Sequence, residues 1–186
     1  MATSDNKKQP TASHPSSSSS ASGASSGATT PGPQPSSSYP AATGAPVSFD
    51  GVTVTGAADL AGVPGVTSTA SADPAKLEYK DLVVGTGAAA TPKSTVNVQY
   101  VGVLYKNGTE FDSSWKRGAP TSFSLTGVVP GFTEGIGGGD GVAPMKVGGR
   151  RIIIMPAAMG YGSQSPSTQI PANSPLVFVV DLLGVS

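Results

Sequence analysis

The chain has 186 residues, enough for one ordinary domain with chain to spare. Its formal net charge is zero, which points away from nucleic acid or an anionic membrane surface as a main partner. Cysteine is absent and histidine occurs once, at His14. Disulfides, thiolate zinc sites, a Cys nucleophile, an intrachain Ser-His-Asp triad and a multi-His metal site are thereby excluded.

Residues 1–46 are rich in Ser, Thr, Pro, Gly and Ala and almost free of branched aliphatics. Such a stretch cannot bury enough apolar area to offset its ordering entropy, so a disordered tail is expected, with His14 a solvated residue in it. As a flexible coil it would span roughly 35–40 Å on average. The composition suits a tether in an exported or cell-envelope protein whose leader has been removed; a cytoplasmic start is the alternative. No apolar run approaches the length of a transmembrane helix.

Residues 47–75 are intermediate. Phe49, Val52 and Val54 alternate with small polar residues, as in a short edge strand, and a loop with one more extended piece follows. This extension is expected to pack on the main domain rather than form a domain of its own.

The domain proper spans 76–186 and reads mostly as strand. Residues 77–84 form a first strand, ending in Gly85-Thr86-Gly87. Residues 94–105 form a longer one, with Val96, Val98, Tyr100 and Leu104 on one face and Asn97, Gln99 and Val101 on the other. Asn107-Gly108 signals a type I′ hairpin, and the return strand begins at Thr109. Further strands are expected over 120–125, 150–156 and 175–185. One short helix starts at Pro130, whose fixed φ suits a first turn, and the glycines of 137–141 end it. Many antiparallel strands around one short helix give an α+β fold. The glycine-rich run lacks the Gly-Lys-Ser/Thr and the βαβ surroundings of a phosphate loop, and reads as a flexible insertion.

Within the return strand, "TEFDSSW" (109–115) holds one carboxylate, Asp112, beside Phe111 and near Trp115, the only tryptophan. On its own this carboxylate fits a catalytic base, a metal ligand, a helix cap or a polar anchor in an apolar pocket.

Four stretches decide between these. "VQYVGVLYKNGTEFDSSWKRGAP", "VVPGFTEGI", "MKVGGRRIIIMPAAMGYG" and "IPANSPLVFVVDLL", in order and in register from Leu77 to Ser186, resemble the FKBP-type peptidyl-prolyl cis-trans isomerases, the macrolide-binding immunophilins. The resemblance implies a twisted antiparallel sheet wrapped around one short helix, with an aromatic pocket between helix and sheet. It assigns Tyr100, Asp112, Tyr161 and Phe178 as catalytic residues, and Phe111, Phe123, Val129, Phe132 and Ile170 as substrate-binding residues. Ile170 is placed on the pocket rim by the loop 163–175. Three positions depart from the family pattern. Phe132 stands where Trp is common, Thr121 stands where many members have an aromatic, and "GGGDG" lengthens the link after the helix.

What the resemblance implies about function follows from the reaction. Rotation about an Xaa-Pro bond needs no proton transfer, no nucleophile and no cofactor. Its barrier of about 18–20 kcal/mol is the cost of lost amide resonance. The twisted amide is less dipolar than the planar one, so a water-poor pocket favours it. In that setting Tyr161 would orient a flanking carbonyl, and Asp112 would be an anchor and polariser rather than a base. The implied partners are Xaa-Pro segments of client proteins during folding, and macrolides such as tacrolimus, with the chain a monomer. The alternatives are a non-catalytic immunophilin-like binding module and a strand-rich surface domain on a flexible stalk.

Overall fold

The structure, a computed structural model, describes residues 39–186. The expected disordered tail, with His14, lies outside the described residues up to position 38. Its expected boundary at 46 falls later than the start of the packed chain. Ala42 donates to the Val63 carbonyl (2.9 Å), Val63 donates to that of Pro40 (2.9 Å), and the Tyr39 ring stands edge-on to Trp115 at 4.9 Å.

A small antiparallel meander comes first: β1 (Val47–Phe49), β2 (Val52–Thr55) and β3 (Gly65–Ser68), in that spatial order. The sequence suggested one strand over the first ten of these residues. Asp50 and Gly51, both left-handed (φ 46° and 77°), fold it into a hairpin instead, and Asp-Gly is itself a hairpin signal.

The main sheet holds β4 (Glu78–Val83), β5 (Thr95–Leu104), β6 (Glu110–Ser113), β7 (Thr121–Ser124), β8 (Arg150–Met155) and β9 (Leu176–Val185). Its order is β4-β8-β9-β5-β6, with β7 pairing the N-terminal half of β5, and every pairing is antiparallel. The α+β architecture expected from the strand pattern is the one observed. The β5–β6 turn differs from the type I′ expectation: Gly108 is left-handed (φ 70°) but Asn107 is not. The Asn107 side chain instead accepts from the Thr109 amide (2.9 Å), a local Asx bond that stabilises a longer turn.

Helix α1 (Pro130–Gly137) opens on Pro130 and stops at Gly138, whose φ is 87°. Three of its eight residues are glycine, each costing about 1 kcal/mol relative to alanine. Eight such residues would not hold a helix alone, so packing holds it. The glycines permit that packing: a Cβ on Gly135 would lie 2.7 Å from Ile153 Cδ1.

Because side chains alternate along β5, β8 and β9, the sheet carries two cores. The inner face turns Val96, Val98, Tyr100, Ile153, Met155, Phe178 and Val180 towards α1. The outer face turns Val101, Val103, Ile152, Ile154, Val177 and Val179 towards Val52, Val54 and Ala57 of the meander segment. Adjacent arginines on β8 follow the same alternation. Arg150, fully buried, grips Asp181 of β9 (2.5 and 2.7 Å) and donates to the carbonyls of Gly56 (2.8 Å) and Gly62 (3.2 Å), tying the extension to the sheet. Arg151 faces the helix side. No helix among the described residues is long and apolar enough to cross a membrane.

Candidate active site

Between α1 and the inner face of β5, β6, β7 and β9 lies a cavity of 350 Å³. Tyr100, Phe111, Asp112, Phe123, Val129, Phe132, Tyr161 and Phe178 line it, joined by Gly127 and Val128. Four of the chain's five phenylalanines are here, drawn from three strands and the helix.

The rings meet edge to face. Phe132, at the centre, stands against Phe178 (4.8 Å, 86°), Phe123 (5.8 Å, 78°) and Tyr100 (6.1 Å, 80°), and Phe111 closes on Phe178 at 5.5 Å and 86°. Such pairs each contribute about 0.5–1.5 kcal/mol beyond area burial and fix ring planes. Gly102, opposite Phe178 in the β5–β9 register, makes room for this: a Cβ there would lie 2.8 Å from Phe111 and 2.9 Å from Phe178.

One polar cluster interrupts the aromatic wall. The Tyr100 hydroxyl donates to Asp112 Oδ2, and Arg117 donates to Asp112 Oδ1. Arg117 also donates to the Tyr100 hydroxyl (2.9 Å) and to Thr121 Oγ1 (3.1 Å). Both carboxylate oxygens are therefore engaged by donors. Burial, reinforced by the hydrogen bond to Asp112, pushes the Tyr100 phenol up to about 12 against the pull of Arg117, so it stays protonated through neutral pH. Tyr161, 38% exposed at the mouth, makes no side-chain hydrogen bond among the described residues, so its hydroxyl is free to donate to a ligand.

Eight of the nine site residues expected from the sequence meet at this cavity. Ile170 does not. Only 6% exposed, it is buried in the inner core and contributes nothing to the cavity wall. Its carbonyl accepts from Ser165 (2.7 Å) and it bridges Ser167, so the loop folds back on itself and turns the side chain inward. Arg117 was missed by the sequence reading. Its signal is an arginine five residues after the aspartate, across a turn short enough to fold the cation back onto the carboxylate.

An antiparallel sheet half-wrapped around a short helix, with an aromatic cavity between them, is what the resemblance to the immunophilin class of rotamases implies. Comparison with known proteins agrees. Residues 87–183 match the family model described as FKBP-type peptidyl-prolyl cis-trans isomerase. A probable FK506-binding protein of Corynebacterium glutamicum is 43% identical over 110 residues, covering 59% of this chain and 87% of that protein. The FKBP-type isomerase FkpA of Escherichia coli is 42% identical over 109 residues, 59% of this chain but 37% of that longer protein. Among solved structures, AtFKBP13 superposes with a TM-score of 0.55 at 36% identity, covering 62% of this chain and 98% of that one. The chain belongs to the FKBP-type peptidyl-prolyl cis-trans isomerases. It is accordingly an enzyme, which sets aside the binding-only module and the stalked surface domain.

Proposed function

We propose that the cavity at Phe132 is the catalytic centre, and that it accelerates Xaa-Pro rotation in client polypeptides by stabilising the twisted amide with apolar surroundings and fixed dipoles. The observation that carries this reading is the composition of the wall: five rings held edge to face around a single, internally neutralised polar cluster. Phe132, Phe178 and Phe123 receive the proline ring, and Phe111 and Val129 flank the preceding residue. Tyr161 donates to a client carbonyl.

Asp112, held by Tyr100 and Arg117, is the anchor of the pocket's polar edge; a donor on each oxygen and the paired guanidinium hold it in place as a fixed, charge-balanced acceptor. Specificity rests on shape and backbone contacts, because the residues lining the cavity carry no charge apart from Asp112, which is paired with Arg117. Clients of either charge therefore meet the same wall. The tail composition fits a tether holding a monomeric folding catalyst in the cell envelope.

The test is an Asp112→Asn variant assayed on an Xaa-Pro peptide in a protease-coupled assay. The amide oxygen still accepts from Tyr100, so activity should stay within about tenfold of wild type, equivalent to about 1.4 kcal/mol of transition-state stabilisation. A loss of several thousandfold in a folded variant would make Asp112 a chemical participant and overturn this mechanism.

A further inference from the structure

Helix α1 carries the cavity floor, Phe132, and follows directly on Val129 at the lip, yet its own sequence does little to fix it. No side chain caps its N-terminus, its first turn has no acidic residue and its last turn no basic one. Apolar packing against β8 is strong but largely non-directional. Directional restraints must come from elsewhere.

Thr133 Oγ1 donates to the Leu125 carbonyl (2.6 Å) and the Met145 amide to that of Ile136 (2.8 Å); the rest converge on Arg151, which is 2% exposed. Its Nη1 donates to the carbonyl of Gly135 in the last turn of α1 (2.8 Å) and to that of Ala143 in the loop beyond (2.6 Å). Its Nε and Nη2 hold the Asp81 carboxylate of β4 (2.6 and 3.1 Å). Its guanidinium lies 4.4 Å from the centroid of Tyr79, whose hydroxyl accepts from the Ala143 amide (3.2 Å). A helix C-terminus carries negative partial charge on its unpaired carbonyls, and β8 thus supplies the cation that the helix itself lacks. The planar fork fixes angle as well as distance, which a point charge would not.

We propose that Arg151 is a positioning residue for the isomerase. It contributes nothing to the cavity wall. It sets the height and rotation of α1 over β8, and so the placement of Phe132 and Val129 around the twisted amide. A misplacement of about 1 Å can cost a hundredfold in rate. The inference rests on this cavity being the catalytic one.

The experiment compares the full chain with Arg151→Met, which keeps the apolar stem but removes the guanidinium, and Arg151→Lys, which keeps charge but loses the fork. Each is assayed well below its own melting temperature, with amide hydrogen exchange of residues 132–136 measured in parallel. Expected for Arg151→Met is a loss of about tenfold in kcat/KM, carried by kcat more than KM, with exchange in α1 faster and exchange in β9 unchanged. Arg151→Lys should fall between it and wild type in both readouts, and is the deciding variant if Arg151→Met does not fold. Wild-type kcat/KM and wild-type exchange in a folded variant would remove the residue's role. Faster α1 exchange with unchanged kcat/KM would overturn the proposal differently, by showing that the fastening of α1 does not set the catalytic geometry.

Discussion

The inner and outer faces of the main sheet are built from the same three long strands, yet they are filled in different ways. On the outer face, Val101, Val103, Ile152, Ile154, Val177 and Val179 interdigitate with Val52 and Val54, and the layer closes. On the inner face, beside similar aliphatics, five rings stand edge to face and a cavity of 350 Å³ remains among them. Branched aliphatic side chains fill irregular space, as close-packed interiors require. Rigid planes locked at near right angles cannot collapse into the gap they surround. The cavity is thus a consequence of which residue type faces which side, and the proposed site sits on the face that cannot be filled.

That contrast can be broken most severely by removing residues 39–73. The deletion strips the cover from six buried outer-face aliphatics and leaves two donors of Arg150 without their carbonyls. Loss of a cooperative unfolding transition and aggregation are expected on thermal denaturation; a soluble domain with an unchanged melting temperature would show that the outer layer is dispensable.

Next in size is a matched pair of truncations, one on each face. Ile154→Ala should cost about 2–5 kcal/mol in urea unfolding, as a large-to-small change at a fully buried site, with catalysis per folded molecule unchanged. Phe178→Ala should cost about 3–5 kcal/mol and also lower kcat/KM. Equal activity in the two folded variants would erase the functional distinction between the faces. Ile170→Ala now belongs with the stability class, since its side chain is in the core.

A smaller effect concerns pH. Tyr100 is favoured in its protonated form by the fold, with its phenol raised from 10.0 to about 12. The stability this adds is complete below pH 10 and is lost as pH rises from 10 to 12. Activity and melting temperature should therefore be flat between about pH 6 and 9 and decline only above that. A bell-shaped rate profile centred near neutrality would require a titrating catalytic group and contradict the anchor role of Asp112.

Smallest of all is the expected effect of deleting residues 1–38. Their Ser/Pro-rich composition carries no apolar surface to bury, so short-peptide kcat/KM and melting temperature should match the full chain. A shift in either would mean that the segment contributes to the domain.

Much of this organisation was legible in the sequence, for identifiable reasons. The inner and outer faces of β5 follow from strict alternation, and β8 and β9 read as strands because residues such as Ile152 and Ile153 are buried on opposite sides of one sheet. The cavity residues were legible as a set because their motifs fall in register. What escaped depends on the path of the chain between elements. The inward turn of Ile170 comes from Ser165 and Ser167 folding the loop onto itself, and the return of Arg117 onto Asp112 crosses a turn. Neither has a periodicity to read. The strand over 150–156 was legible, but the split of its double arginine was not: the structure gives Arg150 and Arg151 to different layers.

The position of the only tryptophan has a practical corollary. Trp115 is 3% exposed, belongs to the outer cluster and meets Tyr39 edge-on, while its indole N–H finds no acceptor among the described residues. Intrinsic emission excited at the red edge therefore comes from one chromophore on the far side of the sheet from the rings that line the cavity. It is a natural optical gauge of whether residues 39–42 are seated, and a poor one for occupancy of the cavity. Titrations of ligands into that cavity call for tyrosine-band absorbance or an external dye instead.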